Sequence, residues 1–271
     1  MKHVLKYAVL IALVFIVAGH ATAGLTDDLV VYFTFDNVEN KRVLDESGNN
    51  LNAQIIKNAV LAKGKYGKAI RITRETEDCV NLPAFDALNI NHRITMMAWV
   101  YHEDWTETSA QLFDKGCYSR GTNVYGMGVF NKKHHPDIDA FGIDSGIALI
   151  LANNEVQKSI TADNKLQKRV WHHIASTASL DARRIYLNGE VILESTDGFV
   201  FSGTNTENLR IGCAKGEPQY AFKGGSIDEI GLWRRTLSEA EIRAAMRGPL
   251  LAVSPKGKVA TTWGNIKRKA F

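Results

Sequence analysis

The sequence predicts an all-β protein, a two-sheet antiparallel β-sandwich with one short C-terminal helix. Short apolar segments rich in β-branched and aromatic residues recur along the chain, separated by turn residues at the spacing typical of a sandwich. The composition agrees, because 22 glycines, five prolines and 9% aromatic residues suit many turns between strands. One segment near the end carries complete helix start and stop signals, which accounts for the single helix.

The predicted strands follow one another without an internal repeat or a long linker. The hairpin around Asn188-Gly189 is the clearest, since this pair favours a type I′ turn that places Leu187 opposite Glu190. The strand-like segments, in chain order, are 29–36, 64–72, 79–82, 94–101, 112–115, 125–130, 147–151, 171–175, 184–193, 209–212 and 227–233.

The helix follows the last strand. Ser238 and Glu241 have the spacing of a capping box, and Leu237 and Ile242 have that of a hydrophobic staple. Gly248 and the proline after it are a stop signal, so we expect a helix over roughly 239–247.

The chain ends indicate an exported protein with one domain. Residues 1–23 combine a basic start, an apolar stretch over 7–18 and an Ala-Thr-Ala cleavage motif, which together are typical of a secretory signal peptide. We therefore expect a secreted or cell-surface protein with the sandwich over 24–248, a basic tail over 249–271 and no membrane span after cleavage. A single domain suits this length, since sandwiches often run to about 200–250 residues.

The charge balance argues against a nucleic-acid partner. The chain has 33 basic and 29 acidic residues, and cleavage of the signal removes two lysines, Lys2 and Lys6. The remaining excess of about two positive charges is too small to indicate nucleic-acid binding.

Asp228 is the most informative polar residue. Strict strand alternation puts its carboxylate on the same face as Ile230 and Leu232, whereas Glu229 points the other way. A carboxylate buried beside apolar residues needs a partner, and a bound cation is one candidate.

The closing segment carries a family resemblance. The pattern G-x-I-D-E-I-x-L-W-x-R-x-L-S-x-x-E-I over 225–242 resembles the end of laminin G-like domains of the concanavalin A-like lectin/glucanase group, which includes the pentraxin relatives. Stretches at 32–36 (YFTFD), 64–72 (GKYGKAIRI), 94–101 (ITMMAWVY) and 171–175 (WHHIA) are similar to earlier parts of these domains. The resemblance implies a jelly-roll sandwich of concanavalin A-like type.

The resemblance also implies a structural calcium ion. In many members of the group the ion lies where the first and last strands meet, which corresponds here to Asp36 and Asp228, with backbone oxygens near Gly67. Calcium takes about six to eight oxygen ligands of these kinds. The alternative interpretation is that Asp228 accepts backbone amides and Asp36 caps a turn.

Three cysteines in an exported chain favour one disulfide and one remaining thiol. We expect Cys117 to pair with Cys213, because both follow predicted strand ends in glycine-flanked segments. Cys79 lies within a predicted strand, where a small buried thiol is the simplest interpretation.

For carbohydrate recognition, aromatic residues on the rim loops are the natural candidates. Trp105, Tyr118 and Tyr220, together with Arg120, meet this description. The alternative is that these side chains close over the ends of the sandwich.

Catalysis is not indicated. The glucanases of the fold group carry a signature that resembles E-x-D-x-x-E, with two catalytic glutamates. Here Ser226 and Gly231 occupy the positions of those two glutamates. We therefore expect a non-catalytic module that binds carbohydrate or an extracellular protein. The alternatives are a polysaccharide-acting glycoside hydrolase or lyase with a non-standard site, and a purely structural or adhesive module.

Overall fold

A computed structural model describes residues 24–73, 78–105, 109–116, 125–131, 145–153, 156–163, 165–201 and 205–250. These residues form two antiparallel sheets, and strands are numbered along the chain. The first sheet contains β1 (Leu29–Phe33), β5 (Val60–Lys63), β6 (Lys68–Arg71), β8 (Ile94–His102), β13 (His172–Ala178), β14 (Arg183–Leu187), β15 (Glu190–Ser195) and β17 (Gly225–Trp233). The second contains β2 (Val38–Glu39), β3 (Arg42–Val43), β4 (Ala53–Ile56), β7 (Cys79–Leu82), β9 (Ala110–Lys115), β10 (Tyr125–Asn131), β11 (Ser145–Ala152), β12 (Gln157–Asp163) and β16 (Leu209–Ile211).

The two sheets have the strand orders given below and enclose the core between them. The first sheet runs β15-β14-β13-β8-β17-β6-β5, with β1 also paired to β17, and the second runs β12-β11-β10-β9-β16-β7-β4-β3-β2. Apolar side chains of the facing sheets form one buried core between them, which includes Met96, Ala98 and Val100 of β8 opposite Leu112 and Leu149. The predicted two-sheet antiparallel sandwich is confirmed.

Local signals in the sequence correspond to observed elements. In the β14–β15 hairpin, Leu187 pairs with Glu190, and both Asn188 and Gly189 have positive φ, as a type I′ turn requires. Helix α1 (Glu239–Ala245) begins with the predicted capping box between Ser238 and Glu241. Within the part of the chain that the structure describes, no helix has the length and apolar character to cross a bilayer.

The outer face of the first sheet is partly covered. Along β8, alternate residues turn away from the core, and Met97 packs with Trp233, Leu237 and Ile242 in a second apolar cluster. Helix α1 therefore covers one end of this outer face. The remainder of the face carries polar and aromatic side chains.

The side chains of the last strand, β17, do not alternate as predicted, because the strand contains a β-bulge. The register between β17 and β8 shifts between Asp228 and Gly231, and Glu229 has a φ of 51°. As a result Ile230 and Leu232 join Ile227 in the core between the sheets, and do not share a face with Asp228. A bulge adds a residue to one strand and re-aims the side chains beside it.

The predicted Cys117–Cys213 disulfide is wrong, because Cys213 is bonded to Cys79, with their Cα atoms 5.5 Å apart. Strand β7 pairs directly with β16, so Val80 lies opposite Ile211. Cys79 at the start of β7 therefore lies beside the residues that follow β16. This strand pairing is set by the tertiary fold and cannot be seen in cysteine spacing. Cys117 lies outside the described residues.

We predict that Cys79→Ser destabilises the protein and Cys117→Ser does not. The bond closes a segment with a sequence separation of 134 residues, and loss of such a cross-link costs roughly 2–5 kcal/mol of unfolding free energy. Denaturant titration of both variants measures the difference. Peptide mapping without reduction is expected to recover a Cys79–Cys213 peptide, and recovery of a Cys117–Cys213 peptide would contradict the structure.

Candidate functional site

An open groove crosses the outer face of the first sheet, beyond the part that α1 covers. Its floor is a row of residues across neighbouring strands, in which Ser226 of β17 pairs with Arg71 on one side and with Tyr101 on the other. Trp171 extends the row, since its ring centroid lies 5.6 Å from that of Tyr101. Residues of β5 and the Gly64 turn form one wall, and the cavity has a volume of about 520 Å³. We call this cavity, with Arg71, Tyr101, Trp171 and Ser226, the aromatic groove.

The aromatic groove combines apolar ring surface with polar groups. Both Tyr101 and Trp171 are half-buried, and within the described chain neither the Tyr101 hydroxyl nor the Trp171 indole N–H has a hydrogen-bond partner. The Arg71 guanidinium is held by Glu103 Oε1 at 2.6 Å. Such a site can pack against the apolar face of a ligand ring and form hydrogen bonds with hydroxyl groups at the edge of that ring.

The turn between β5 and β6, Gly64–Gly67, closes one end of this groove. Its ends are joined by a hydrogen bond from the Gly64 N–H to the Gly67 carbonyl at 3.0 Å. Lys65 Nζ lies 4.3 Å from the centroid of the buried Trp99 ring. The Tyr66 hydroxyl donates to the Met246 carbonyl at 3.1 Å, which joins the turn to the end of α1.

Asp228 lies beneath this turn. Its side chain is fully buried, and its carboxylate accepts the N–H of Tyr66 at 3.0 Å and the N–H of Glu229 at 2.8 Å. Burial raises the pKa of Asp228 to about 7, with the negative charge of Glu229 adding to the rise and the backbone donors opposing it. Asp228 therefore accepts backbone amides, and calcium binding by this residue stays a prediction.

Glu229 is the second buried acid of the bulge. One of its oxygens accepts the Tyr32 hydroxyl, and the other is buried with no hydrogen-bond partner among the described residues. Burial raises the pKa of Glu229 to about 7, and the negative charges of Asp36 and Glu46 add to the rise. Burial likewise raises the pKa of Tyr32 far above its usual value, with Glu229 adding to it.

Asp36 lies against the other end of the same turn, at Gly67 and Lys68. The exposed Asp36 accepts the Lys68 N–H at 2.7 Å. Gly67 has a φ of 47°, and a Cβ there would lie 2.1 Å from Asp36 Oδ1. The three predicted calcium ligands therefore meet around one turn. Among the described residues, no group of three or more His, Cys, Asp or Glu side chains is placed to hold a metal ion.

His173 continues the buried polar row below the turn. On the sheet, Trp99 pairs with Asp228 on one side and with His173 on the other. The His173 ring is fully buried, contacts the Trp99 ring with centroids 5.4 Å apart, and has no hydrogen-bond partner in the described part of the chain. Burial lowers the pKa of His173 to about 3, so its imidazole is neutral at physiological pH.

Of the four predicted ligand-binding residues, the structure describes Trp105 and Tyr220. Trp105 is only 4% exposed and donates its indole N–H to the Gln167 carbonyl at 3.1 Å, so its predicted role as a surface ring is wrong. Tyr220 is half-buried against Phe130 of the second sheet. Tyr118 and Arg120 lie outside the described residues.

Sequence analysis missed Tyr101 and Trp171. Both occur in segments read as packed strands, and only the pairing of β8 with β13 brings them side by side. Strand alternation was the signal that could have identified Tyr101, because it places this residue on the same outer face of β8 as Met97 and Trp99.

We predict that Gly67→Ala destabilises the protein more than Gly198→Ala. Both glycines have positive φ, which costs an alanine about 1–2 kcal/mol. Only at Gly67 would the new methyl group also collide with the Asp36 carboxylate, whereas no atom lies within 4 Å at Gly198. We expect about 1–3 kcal/mol of additional loss at Gly67 in denaturant titration. Equal losses would show that the turn does not rest on Asp36.

Comparison with solved structures supports the architecture. The binding domain of Paraclostridial Mosquitocidal Protein 1 aligns with a TM-score of 0.62 and 16% identity, covering 82% of this chain and 52% of that chain. Domain 4 of AbnA, a GH43 extracellular arabinanase from Geobacillus stearothermophilus, was solved with arabinotriose and aligns at 0.61 and 19% identity, covering 81% and 98%. The botulinum neurotoxin serotype D ligand-binding domain, solved with N-acetylneuraminic acid, aligns at 0.61 and 14% identity, covering 83% and 52%.

This chain thus spans about half the length of the two toxin domains and nearly all of the arabinanase domain. No curated protein sequence matches the chain. A laminin G family profile, described as the concanavalin A-like lectin/glucanases superfamily, matches residues 74–243. Because this match spans more than half of its length, the chain belongs to the concanavalin A-like lectin/glucanase superfamily.

Proposed function

We propose that the protein is a secreted, non-catalytic module that binds carbohydrate in the aromatic groove. The observation that carries the proposal is the pair of half-buried rings, Tyr101 and Trp171, beside Arg71 and Ser226 on an open sheet face. The arabinotriose complex of the arabinanase domain and the N-acetylneuraminic acid complex of the toxin domain agree with it, as sugar-bound structures of the same fold.

The chemistry follows from the lining of the groove. The apolar face of a sugar ring packs on the rings of Tyr101 and Trp171, which bury large areas with little loss of side-chain freedom. Hydroxyl groups of the sugar bond to Arg71 and Ser226 and to the tyrosine hydroxyl. The ion pair with Glu103 keeps the guanidinium oriented before the ligand arrives. The Gly64–Gly67 turn limits how far the ligand extends on that side.

A binding role suits the position of the acids better than catalysis. Retaining and inverting glycosidases place two carboxyl groups on either side of the scissile bond, about 5–9.5 Å apart. The described residues that line the aromatic groove include no Asp or Glu. Asp228 and Glu229 are buried, and Asp228 is shielded by the turn. The experiment below also tests for turnover.

Secretion is part of the proposal. The signal-like residues 1–23 lie outside the described residues, and their interpretation rests on sequence. The Cys79–Cys213 bond supports an oxidising compartment, where disulfides persist.

A structural calcium ion is also proposed, held by Asp36, Asp228 and backbone oxygens near Gly67. The support is electrostatic. The charge of Glu229 raises the pKa of Asp228, and the charges of Asp36 and Glu46 raise that of Glu229. A buried Glu229 oxygen also has no hydrogen-bond partner in the described chain. A cation would offset this repulsion, with water completing its oxygen ligands.

We predict that Trp171→Ala weakens carbohydrate binding at least tenfold, because truncation of a central aromatic anchor typically costs about 2 kcal/mol or more. Val170→Ala, at an exposed aliphatic neighbour, is the matched control and is expected to bind like wild type. Calorimetry with arabinotriose and a panel of neutral oligosaccharides measures the affinities. The same mixtures, assayed for new reducing ends, are expected to show no turnover.

If no oligosaccharide binds, or if Trp171→Ala binds as tightly as wild type, the groove is not a carbohydrate site. Turnover that depends on Trp171 would favour the alternative of an enzyme with a non-standard site.

For calcium, we predict a higher melting temperature in calcium than in chelator. An ion at 100 times its Kd adds about 2.7 kcal/mol of stability, which corresponds to several degrees in a domain of this size. Asp36→Asn is expected to abolish the difference, whereas Asp86→Asn, at another exposed acid, keeps it. Identical wild-type melting curves in calcium and in chelator would contradict the proposed calcium site.

A further inference from the structure

A second groove lies on the outer face of the second sheet, on the opposite side of the sandwich from the aromatic groove. Its volume is about 450 Å³, within the range of small-molecule sites. The Cys79–Cys213 disulfide and two alanines, Ala214 and Ala221, supply an apolar part of its lining. We call this cavity the disulfide groove.

Polar side chains line the disulfide groove along one cross-strand row. Arg210 of β16 pairs with Asn81 of β7 on one side and with Asp114 of β9 on the other. Asn208, just before β16, joins Asn81 and Arg210 in the lining. Because these residues come from paired strands and a strand end, the sheet itself fixes their spacing.

Several hydrogen-bond donors in this row have no hydrogen-bond partner among the described residues. The Asn81 side chain and Arg210 Nη1 have no hydrogen-bond partner within the described chain, and Nη1 is buried. The oxygen of the Asn208 side chain accepts the Ala84 N–H at 3.1 Å, which leaves its amide N–H groups available. A buried donor without an acceptor is costly, so the row suits a ligand that presents acceptors.

Among the described residues Arg210 makes one ion pair, with Glu207. Glu207 lies 2.7 Å from Lys215 Nζ but 3.7 Å from Arg210 Nη1, so one carboxylate serves two cations. Asp114 accepts the Lys215 backbone N–H at 3.1 Å, and Glu217 accepts a hydrogen bond from Gln219. The Arg210 side chain is 15% exposed and lines the groove, and a guanidinium matches a carboxylate in shape and charge.

We infer that the disulfide groove is a second ligand site, for a sugar that bears a carboxylate. The carboxylate meets Arg210, the two asparagine amides bond the neighbouring hydroxyl groups, and the apolar lining formed by the disulfide and alanines contacts the sugar ring. This inference does not rest on the aromatic groove, since no residue is shared between the two cavities.

The test uses the full chain and a galacturonic acid trisaccharide, compared with the same trisaccharide reduced to primary alcohols. Calorimetry is expected to show binding of the acidic probe, with the reduced probe at least tenfold weaker. Arg210→Gln is expected to weaken the acidic probe at least tenfold. The matched control Arg234→Gln, at an exposed arginine that lines neither groove, is expected to leave this affinity within twofold. A tri-glutamate peptide carries the charge without the rings and is expected to bind weakly.

Asn81→Ala is a second variant that separates loss of binding from loss of folding. The Asn81 side chain has no hydrogen bond within the described chain to lose. It is expected to melt like wild type and to bind the acidic probe severalfold more weakly. The inference is overturned if wild type does not bind the acidic probe, or if the reduced probe or the peptide binds equally well. It is also overturned if Asn81→Ala and folded Arg210→Gln both keep wild-type affinity, or if Arg234→Gln weakens binding as much as Arg210→Gln does.

Discussion

The burial of the Asp228 carboxylate beneath the Gly64–Gly67 turn is the constraint on which the rest of the binding face depends. A charged group in this position requires donors, and backbone N–H groups of the turn and of the bulge supply them. The turn must therefore lie on the sheet and cannot project into solvent. Gly64 and Gly67 permit this contact, because a Cβ at either position would overlap a carboxylate oxygen.

This docked turn divides the outer face of the first sheet into three zones. Helix α1 covers the zone around Met97 and Trp233, and the turn covers Asp228 and Trp99. His173 lies buried beside Trp99. The zone around Tyr101 and Trp171 stays open, and it is where the rings and polar groups of the aromatic groove meet. The opposite sheet carries the disulfide groove, so the sandwich presents two chemically different surfaces.

Local chemistry explains which features could be predicted from sequence. The capping box at Ser238 and the Asn188-Gly189 turn each depend on residues within a few positions, and both are observed. Asp228 is buried, but beneath the distant Gly64–Gly67 turn and not on a face shared with Ile230 and Leu232. The bulge at Glu229 could not be predicted, because it depends on how β17 pairs with β8. The same limit explains the wrong disulfide partner and the missed pair of Tyr101 and Trp171, which require knowledge of neighbouring strands. Trp105 shows a related error, since a tryptophan in a polar segment can still turn into the core.

Carbohydrate binding in the aromatic groove is tested most directly by identifying the tryptophan that a sugar contacts. The chain has five tryptophans, of which Trp99, Trp105 and Trp233 are buried and Trp171 lines the open groove. The indole N–H resonances of isotope-labelled protein, followed during titration with a bound neutral oligosaccharide, separate these positions. We expect the Trp171 resonance to shift during the titration while those of Trp105 and Trp233 stay in place. A titration that moves the Trp105 resonance and leaves Trp171 unchanged would contradict binding in the aromatic groove.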